Sequence, residues 1–416
     1  MPSVNSQNLP PSATKPIRIL HVVGGMDRGG VETWLMHVLR QLATSASSRD
    51  NRSQFQMDFL TPDDRHYEYT QELESLGSQI LPCLDPAHPW RYATNFKRIL
   101  DEYGPYDIVH VHVHLFSGYV LYLAAKWGVK ARIIHSHSDT SSIESTAKWP
   151  RQIYNTLMKW SIASNATGGL VASHAAAVNL LGSAWQKDLR WQALACGINL
   201  APFNQQPNSG DIRAEFDLPT DALIVGHVGR FDLPKNHDFL LEIAAEVIKR
   251  EPKIYFLLIG TGDLRPKIEA KATQMGLIDR IIFLGARSDV PRLMTGLMDV
   301  FLFPSLYEGL GLVLIEAQAA GLPCIVADTI PPEADLIEPL IHRLSLQQSA
   351  AQWAEVLLEH SKYNTSISPT QSLQIVSQSV FNIDVSVAAL TKFYRSAVTQ
   401  NIVGGASPVE KQNENR

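Results

Sequence analysis

Short apolar runs alternate with amphipathic helical patterns along almost the whole chain, and this alternation is what most limits the folds open to it. Residues 17–23 form the first apolar run, ended by Gly24-Gly25. Val31, Trp34, Leu35, Val38, Leu39 and Leu42 come next at i, i+3, i+4, i+7, i+8 and i+11, the single apolar face of a helix. Further strand candidates lie at 55–60, 108–113, 133–137 and 170–172. A second series occupies 223–228, 254–259, 281–284, 300–303 and 324–327. Strands separated by helices pair in parallel, and the helices cover both faces of the sheet. The pattern predicts an α/β chain of two doubly wound, Rossmann-like parallel-sheet domains facing across a cleft. Ligands of such domains meet the carboxyl ends of the strands, so the cleft is the expected site.

Length agrees, since 416 residues exceed the roughly 250–300 that one core holds. The Pro-, Gly-, Asn- and Gln-rich stretch 196–210 reads as the join. We expect disordered tails at 1–16 and 403–416, an N-terminal domain at 17–200 and a C-terminal domain at 201–384. A last helix, 385–402, is expected to cross back to the first domain. With 36 Lys and Arg against 41 Asp and Glu, the net charge of −5 argues against a nucleic-acid partner. Cys83, Cys196 and Cys324 form no CxxC pair, disulfide framework or cysteine-zinc pattern. The first 16 residues lack the apolar core of a secretion signal, and no apolar stretch nears the roughly 20 residues that span a bilayer. A cytoplasmic setting is the expectation.

Four segments can carry chemistry. Gly24-Gly25-Met-Asp-Arg-Gly29-Gly30-Val31-Glu32 joins the first strand to the first helix, where a close backbone and a helix N-terminus suit an anion. An ordinary turn is the alternative, because neither GxGxxG nor a Walker A loop is present. His110, His112 and His114 are placed on one strand face, with His135 and His137 on the next strand. They read either as satisfied polar residues at strand ends or as a cleft wall touching substrate. HxH on a strand also opens some metal-hydrolase ligand sets, but those need further ligands around one barrel. Gly229-Arg230-Phe-Asp-Leu-Pro-Lys235-Asn236 puts two cations on a loop leaving a strand, a diphosphate clamp or a solvated charged loop. Pro304-Ser305-Leu-Tyr-Glu308-Gly-Leu-Gly-Leu-Val-Leu-Ile-Glu316 runs through a Gly-punctuated loop into an apolar helix. Glu316 interrupts that apolar face and needs donors, such as sugar or ribose hydroxyls or an internal Arg.

The ordered set GGMDRGGVE, GRFDLPKN, LIGTGDLR, FLGARSDVP and PSLYEGLGLVLIEAQAAG resembles the family-4 retaining glycosyltransferases of GT-B architecture. EGLGLVLIE matches the family's E-x7-E signature, and HVHVHLFSGY, HSHSD and LACGINLAPF resemble its exopolysaccharide-biosynthesis branch. The resemblance spans about residues 17–400. It implies hexosyl transfer from a nucleotide-sugar donor, a UDP-sugar ahead of a GDP-sugar, to a glycan or polyprenyl-linked saccharide, with retention.

Placed on matching positions, the resemblance makes Arg230 and Lys235 diphosphate ligands that stabilise the leaving group. That is a metal's task in other transferases, so no metal or cofactor is expected. Glu316 would accept from the ribose and Glu308 from the donor sugar. Gly229, Gly309, Gly311 and Leu312 would meet phosphates and sugar, and the loop from Gly285 to Arg287 the base. Gly29 and Gly30 would close over the phosphates, and His137 would touch the sugar near its anomeric centre. His110 and His112 are the acceptor-side candidates. The basic and aromatic stretch 148–160 reads as an interfacial membrane segment or as a helix packing Ile153, Leu157 and Trp160 inward. Two other classes stay open: a GT-B-shaped nucleotide-sugar 2-epimerase and a non-catalytic sugar-nucleotide scaffold.

Overall fold

A computed structural model describes residues 15–44, 54–137, 149–205, 207–362 and 367–403. The first sheet contains Ile17–Val22 (β1), Phe55–Thr61 (β2), Ile80–Pro82 (β3), Ile108–Val111 (β4), Ala131–Ser136 (β5), Gly168–Val171 (β6) and Trp191–Ala193 (β7). Its order is β3-β2-β1-β4-β5-β6-β7, and every pairing is parallel. The second contains Leu223–Val228 (β8), Ile254–Ile259 (β9), Ile281–Gly285 (β10), Val300–Phe303 (β11), Cys324–Ala327 (β12) and Ile341–Leu344 (β13). Its order is β10-β9-β8-β11-β12-β13, again parallel throughout. The strand order reverses between β1 and β4 and between β8 and β11, which marks the two crevices where doubly wound sheets bind ligands.

Burial on both faces explains the near-continuous apolar strands: β9 reads Ile-Tyr-Phe-Leu-Leu-Ile, with only Tyr255 not fully buried. The first helix, Gly30–Thr44, buries Trp34, Leu35, Met36, Val38, Leu39 and Leu42, the face its periodicity predicts. The C-terminal helix Ile383–Val403 packs into the first domain's core through Ile383, Val387, Leu390, Phe393 and Tyr394. The chain thus crosses between domains twice, and the crossings are tied together. Ile198 N–H donates to Phe381 O at 2.8 Å and Ile383 N–H to Ile198 O at 3.1 Å.

Three expectations need correction. β4 ends at Val111, so His110, His112 and His114 do not share a strand face. His112 N–H still bonds Val22 O at 2.9 Å, but His114 sits at φ +47° and turns the chain into a 3₁₀ turn. The short strands β3, β7 and β13, of three or four residues, escape a search for long apolar runs. The helix Trp149–Asn165 buries Asn155, Ser161 and Ile162 and leaves Ile153, Leu157 and Trp160 outside. Its small face is chosen by a close crossing of the helix Ser117–Lys126: a Cβ on Gly118 would lie 2.5 Å from Met158 O, and Ser161 Oγ donates to Gly118 O at 2.7 Å. Lys148, the first residue of the 148–160 stretch, lies outside the described residues.

Candidate active site

The loops leaving β8 and β11 are fastened to each other before any ligand arrives. Asn236, at φ +54°, donates through Nδ2 to Pro304 O at 3.0 Å, and Leu306 N–H donates to Pro234 O at 2.7 Å. Gly260 comes directly after β9 at φ +145°, where a Cβ would fall 2.0 Å from Gly229 O, so only glycine lets the β8 loop lie so close. Gly311, at φ +87°, turns the β11 loop into the helix Leu312–Ala319.

This frame sets the charged residues. Lys235 Nζ meets Glu308 Oε1 at 2.5 Å, and both side chains are largely buried. Arg230 is 67% exposed and, among the described residues, is ion-paired only with Asp232 at 2.9 Å, so it can swing onto an anion. Glu316 lies one turn into its helix, and burial pushes its carboxyl up to about 7. Among the described residues no counter-charge lowers it, which speaks against the internal-Arg alternative. A carboxylate in that setting lacks the donors that ribose hydroxyls would bring.

From the first domain, Gly29 and Gly30 open the first helix, and Glu32 folds back so that a Cβ on Gly29 would meet its Oε2 at 2.3 Å. Burial raises the Glu32 carboxyl, opposed by its own helix backbone and by Arg230 across the cleft. His137, just past β5, lines the same space. Its Nε2 bonds His112 Nδ1 at 2.9 Å, and burial pushes its pKa down to about 3, leaving a neutral ring.

One cavity of about 930 Å³ is lined by Gly29, Gly30, His137, Gly229, Arg230, Lys235, Arg287, Glu308, Gly309, Gly311, Leu312 and Glu316. Arg287 contributes at the wall, but its guanidinium is held by Asp289 at 2.7 Å and Glu215 at 3.2 Å. Its carbonyl accepts from Arg28 Nη1 at 3.3 Å, joining the domains on that side. Glu333 joins them on the other, accepting from His174 N–H at 2.9 Å. Gly285 lies behind the lining, at the end of β10.

The acceptor-side expectation is corrected. His110 is completely buried, with Nδ1 2.7 Å from Tyr394 Oη, and His112 stands behind His137. Neither reaches the cavity. The wall on that side is built instead by Thr33, His37 and Arg40 of the first helix with Tyr69 and Glu72. Arg40 grips Glu72 through two bonds of 2.6 and 2.7 Å, and Thr33 Oγ1 lies 3.1 Å from Tyr69 Oη. The signal was present: Thr33, His37 and Arg40 recur at i, i+4 and i+7, a polar stripe beside the apolar face.

The comparisons with known proteins agree with the two-domain fold. The family model Glycosyltransferase Family 4 matches residues 28–201, and Glycosyl transferases group 1 matches residues 208–363. EpsF of Bacillus subtilis (strain 168), assigned as a glycosyltransferase, is 35% identical over 343 residues, covering 82% of this chain and 86% of that one. An Escherichia coli enzyme, UDP-Gal:alpha-D-GlcNAc-diphosphoundecaprenol alpha-1,3-galactosyltransferase, is 28% identical over 228 residues, 54% of this chain and 58% of its own. In fold, the chain is similar to Anabaena HepE, solved in complex with UDP and glucose. The TM-score is 0.74 at 17% identity, over 91% of this chain and all of that one.

Proposed function

Starting from the chain's membership of the family-4 glycosyltransferases of GT-B architecture, acting in polysaccharide biosynthesis, we propose that it transfers a hexosyl unit from a UDP-sugar to a saccharide acceptor with retention. The observation that carries this reading is the convergence of Arg230, Lys235, Glu308 and Glu316 with Gly29 and Gly30 on one cavity. The donor diphosphate lies against Arg230 and Lys235, whose charge offsets the negative charge that grows as the leaving group departs. Lys235 then exchanges Glu308 for phosphate, and Glu308 turns to a donor-sugar hydroxyl. Ribose hydroxyls donate to Glu316. The UDP in the names of the galactosyltransferase and of the HepE complex supports that nucleotide.

Double displacement needs a carboxylate on the sugar face opposite the leaving group. We assign none and infer front-face attack. The acceptor oxygen bonds to the anomeric carbon as the bond from that carbon to the diphosphate oxygen breaks, and the acceptor proton passes to the departing phosphate. The protein positions the two substrates and excludes water. The acceptor sits on the wall formed by Thr33, His37, Arg40, Tyr69 and Glu72.

A lipid-linked acceptor, as in the name of the E. coli relative, fits one surface feature. Trp149, Ile153, Leu157 and Trp160 form an outward stripe, with the two indoles 73% and 68% exposed. Exposed Arg151 flanks it, and aromatic rings beside a basic residue suit an anionic bilayer surface. Among the described residues no helix is long and apolar enough to cross a membrane, so the contact is peripheral. Wild type should co-sediment with anionic vesicles, and Trp149→Ser with Trp160→Ser should not. Absence of wild-type sedimentation, or a protein dimer that the same changes dissolve, removes the membrane contact.

The activity is tested by incubating the chain with UDP-sugars and a diphosphate-lipid-linked saccharide, then assigning the new linkage by NMR. A retained anomer is expected. An inverted product or a trapped glycosyl-enzyme adduct overturns the mechanism, and the epimer appearing without acceptor would favour the 2-epimerase.

A further inference from the structure

Five imidazoles meet at the switch point of the first sheet. They are His21 on β1, His110 on β4, His135 on β5, and His112 and His137 just past their strands. Parallel register forces the meeting: His21 lies beside His110 on the neighbouring strand, and the ring centroids of His110 and His112 are 4.2 Å apart. Those of His135 and His137 are 3.9 Å apart.

Hydrogen bonding accounts for part of the cluster. His21 Nδ1 meets His112 Nε2 at 3.0 Å, His112 Nδ1 meets His137 Nε2 at 2.9 Å, and His110 Nδ1 meets Tyr394 Oη at 2.7 Å. His21 Nε2, His110 Nε2 and both nitrogens of His135 are buried without a hydrogen-bond partner among the described residues. Packing accounts for the rings but not for these lone pairs and N–H groups, because phenylalanine or leucine would fill such space without them. Their concentration at one point calls for a ligand that imidazole serves.

Two trios hold one nitrogen from each ring within 4.8 Å of one another: His21, His110 and His112, and His112, His135 and His137. The first is sealed by β1 and β4. The second includes His137, which lines the cleft and gives an entry path. Cys196 Sγ, 3.7 Å from His137 Nδ1, borders it as a softer donor. We propose that His112, His135 and His137 form a binding site for one divalent transition-metal ion of the zinc type, with a coordination position open to the cleft. Imidazole sets of this kind suit zinc, nickel, copper or iron rather than magnesium or calcium. Zinc holds nitrogen at about 2.0–2.1 Å. Binding therefore draws the three nitrogens inward and replaces the hydrogen bond between His112 and His137. With three neutral ligands the ion keeps its charge, so hydroxide or an anion from the cleft completes the shell. The trio is separate from Arg230 and Lys235, whose leaving-group role is unchanged.

The test is a titration of the full chain, stripped with chelator, with Co²⁺ followed by its visible d–d absorption and then by Zn²⁺ competition. One equivalent is expected, with His135→Asn and His137→Ala each binding at least about tenfold more weakly. His37→Asn, a first-helix histidine outside the trio, should bind as wild type does. Absence of uptake by the wild type overturns the site without recourse to any variant. Uptake that survives His135→Asn and His137→Ala, or that is lost in His237→Asn of the second-domain pair His227 and His237, also overturns it. His137 is only half buried, so its variant keeps the test open if His135→Asn fails to fold.

Discussion

At the switch point of the second sheet, the loops after β8 and β11 present Arg230, Lys235 and Glu308. At the corresponding point of the first, the loops after β1 and β4 lead to glycines and to imidazoles that burial keeps neutral. The two sheets share a winding, so the contrast lies in their loops. One domain presents its charged side chains on loops that Asn236, Gly260 and Gly311 hold in place. The other offers a wall of paired polar and charged side chains, Thr33 with Tyr69 and Arg40 with Glu72. A shared topology thus leaves the chemistry to the loop at the carboxyl end of each strand.

If the second domain carries the transition-state charge, the largest effect should come from loss of Lys235. Lys235→Ala should lower kcat by about 10²–10³, as removal of a donor to a developing anion does. It should also leave Glu308 buried without its partner. Steady-state transfer assays beside a melting curve check this, and a kcat within threefold of wild type would break the comparison.

A smaller effect should mark the first domain. Arg40→Ala should raise the acceptor KM by about tenfold, the loss of one charge-assisted hydrogen bond. The shift that donor produces in the melting curve should stay as it is. Weaker donor binding in that variant would show that the two walls do not divide the work.

Glu316 sharpens the comparison through pH. Burial raises its folded-state pKa to about 7, above the ordinary value of 4.5. Between those values the folded chain binds more protons than the unfolded one, so this group's contribution to stability falls as pH rises. Glu316→Gln should therefore melt about 2–4 °C higher than wild type at pH 8 and show little gain near pH 5. The same variant should bind donor more weakly at pH 8. An equal gain at both pH values would contradict the assignment.

An effect on stability alone concerns the strut behind the first domain's wall. Tyr394→Phe removes the bond to His110 and should cost about 1–3 kcal/mol in denaturant unfolding, since it leaves a buried nitrogen unpaired. Donor affinity should not change.

Much of this was legible in the sequence. The order of apolar runs yields both sheets because buried parallel strands are apolar on both faces. The charges of Arg230, Lys235, Glu308 and Glu316 stand out because charge amid such runs needs a reason. The features that stayed hidden depend on contacts between distant segments. The polar stripe Thr33, His37, Arg40 becomes a wall only when Tyr69 and Glu72 are brought to it. His110 looked like a ligand-facing residue until Tyr394, far along the chain, closed over it. The outward stripe of the helix Trp149–Asn165 reverses the usual rule because Gly118 allows a closer approach on the small, polar side.

The central claim is that a sugar nucleotide occupies the cleft and depends on Glu316. The most direct measurement is a thermal-shift panel of UDP-, GDP-, ADP- and dTDP-sugars on wild type and Glu316→Ala. A donor at 100 times its Kd stabilises the fold by about 2.7 kcal/mol. The account predicts that the UDP series stands out in the wild type and fades in Glu316→Ala. No shift with any donor, or an undiminished shift in the variant, would contradict it.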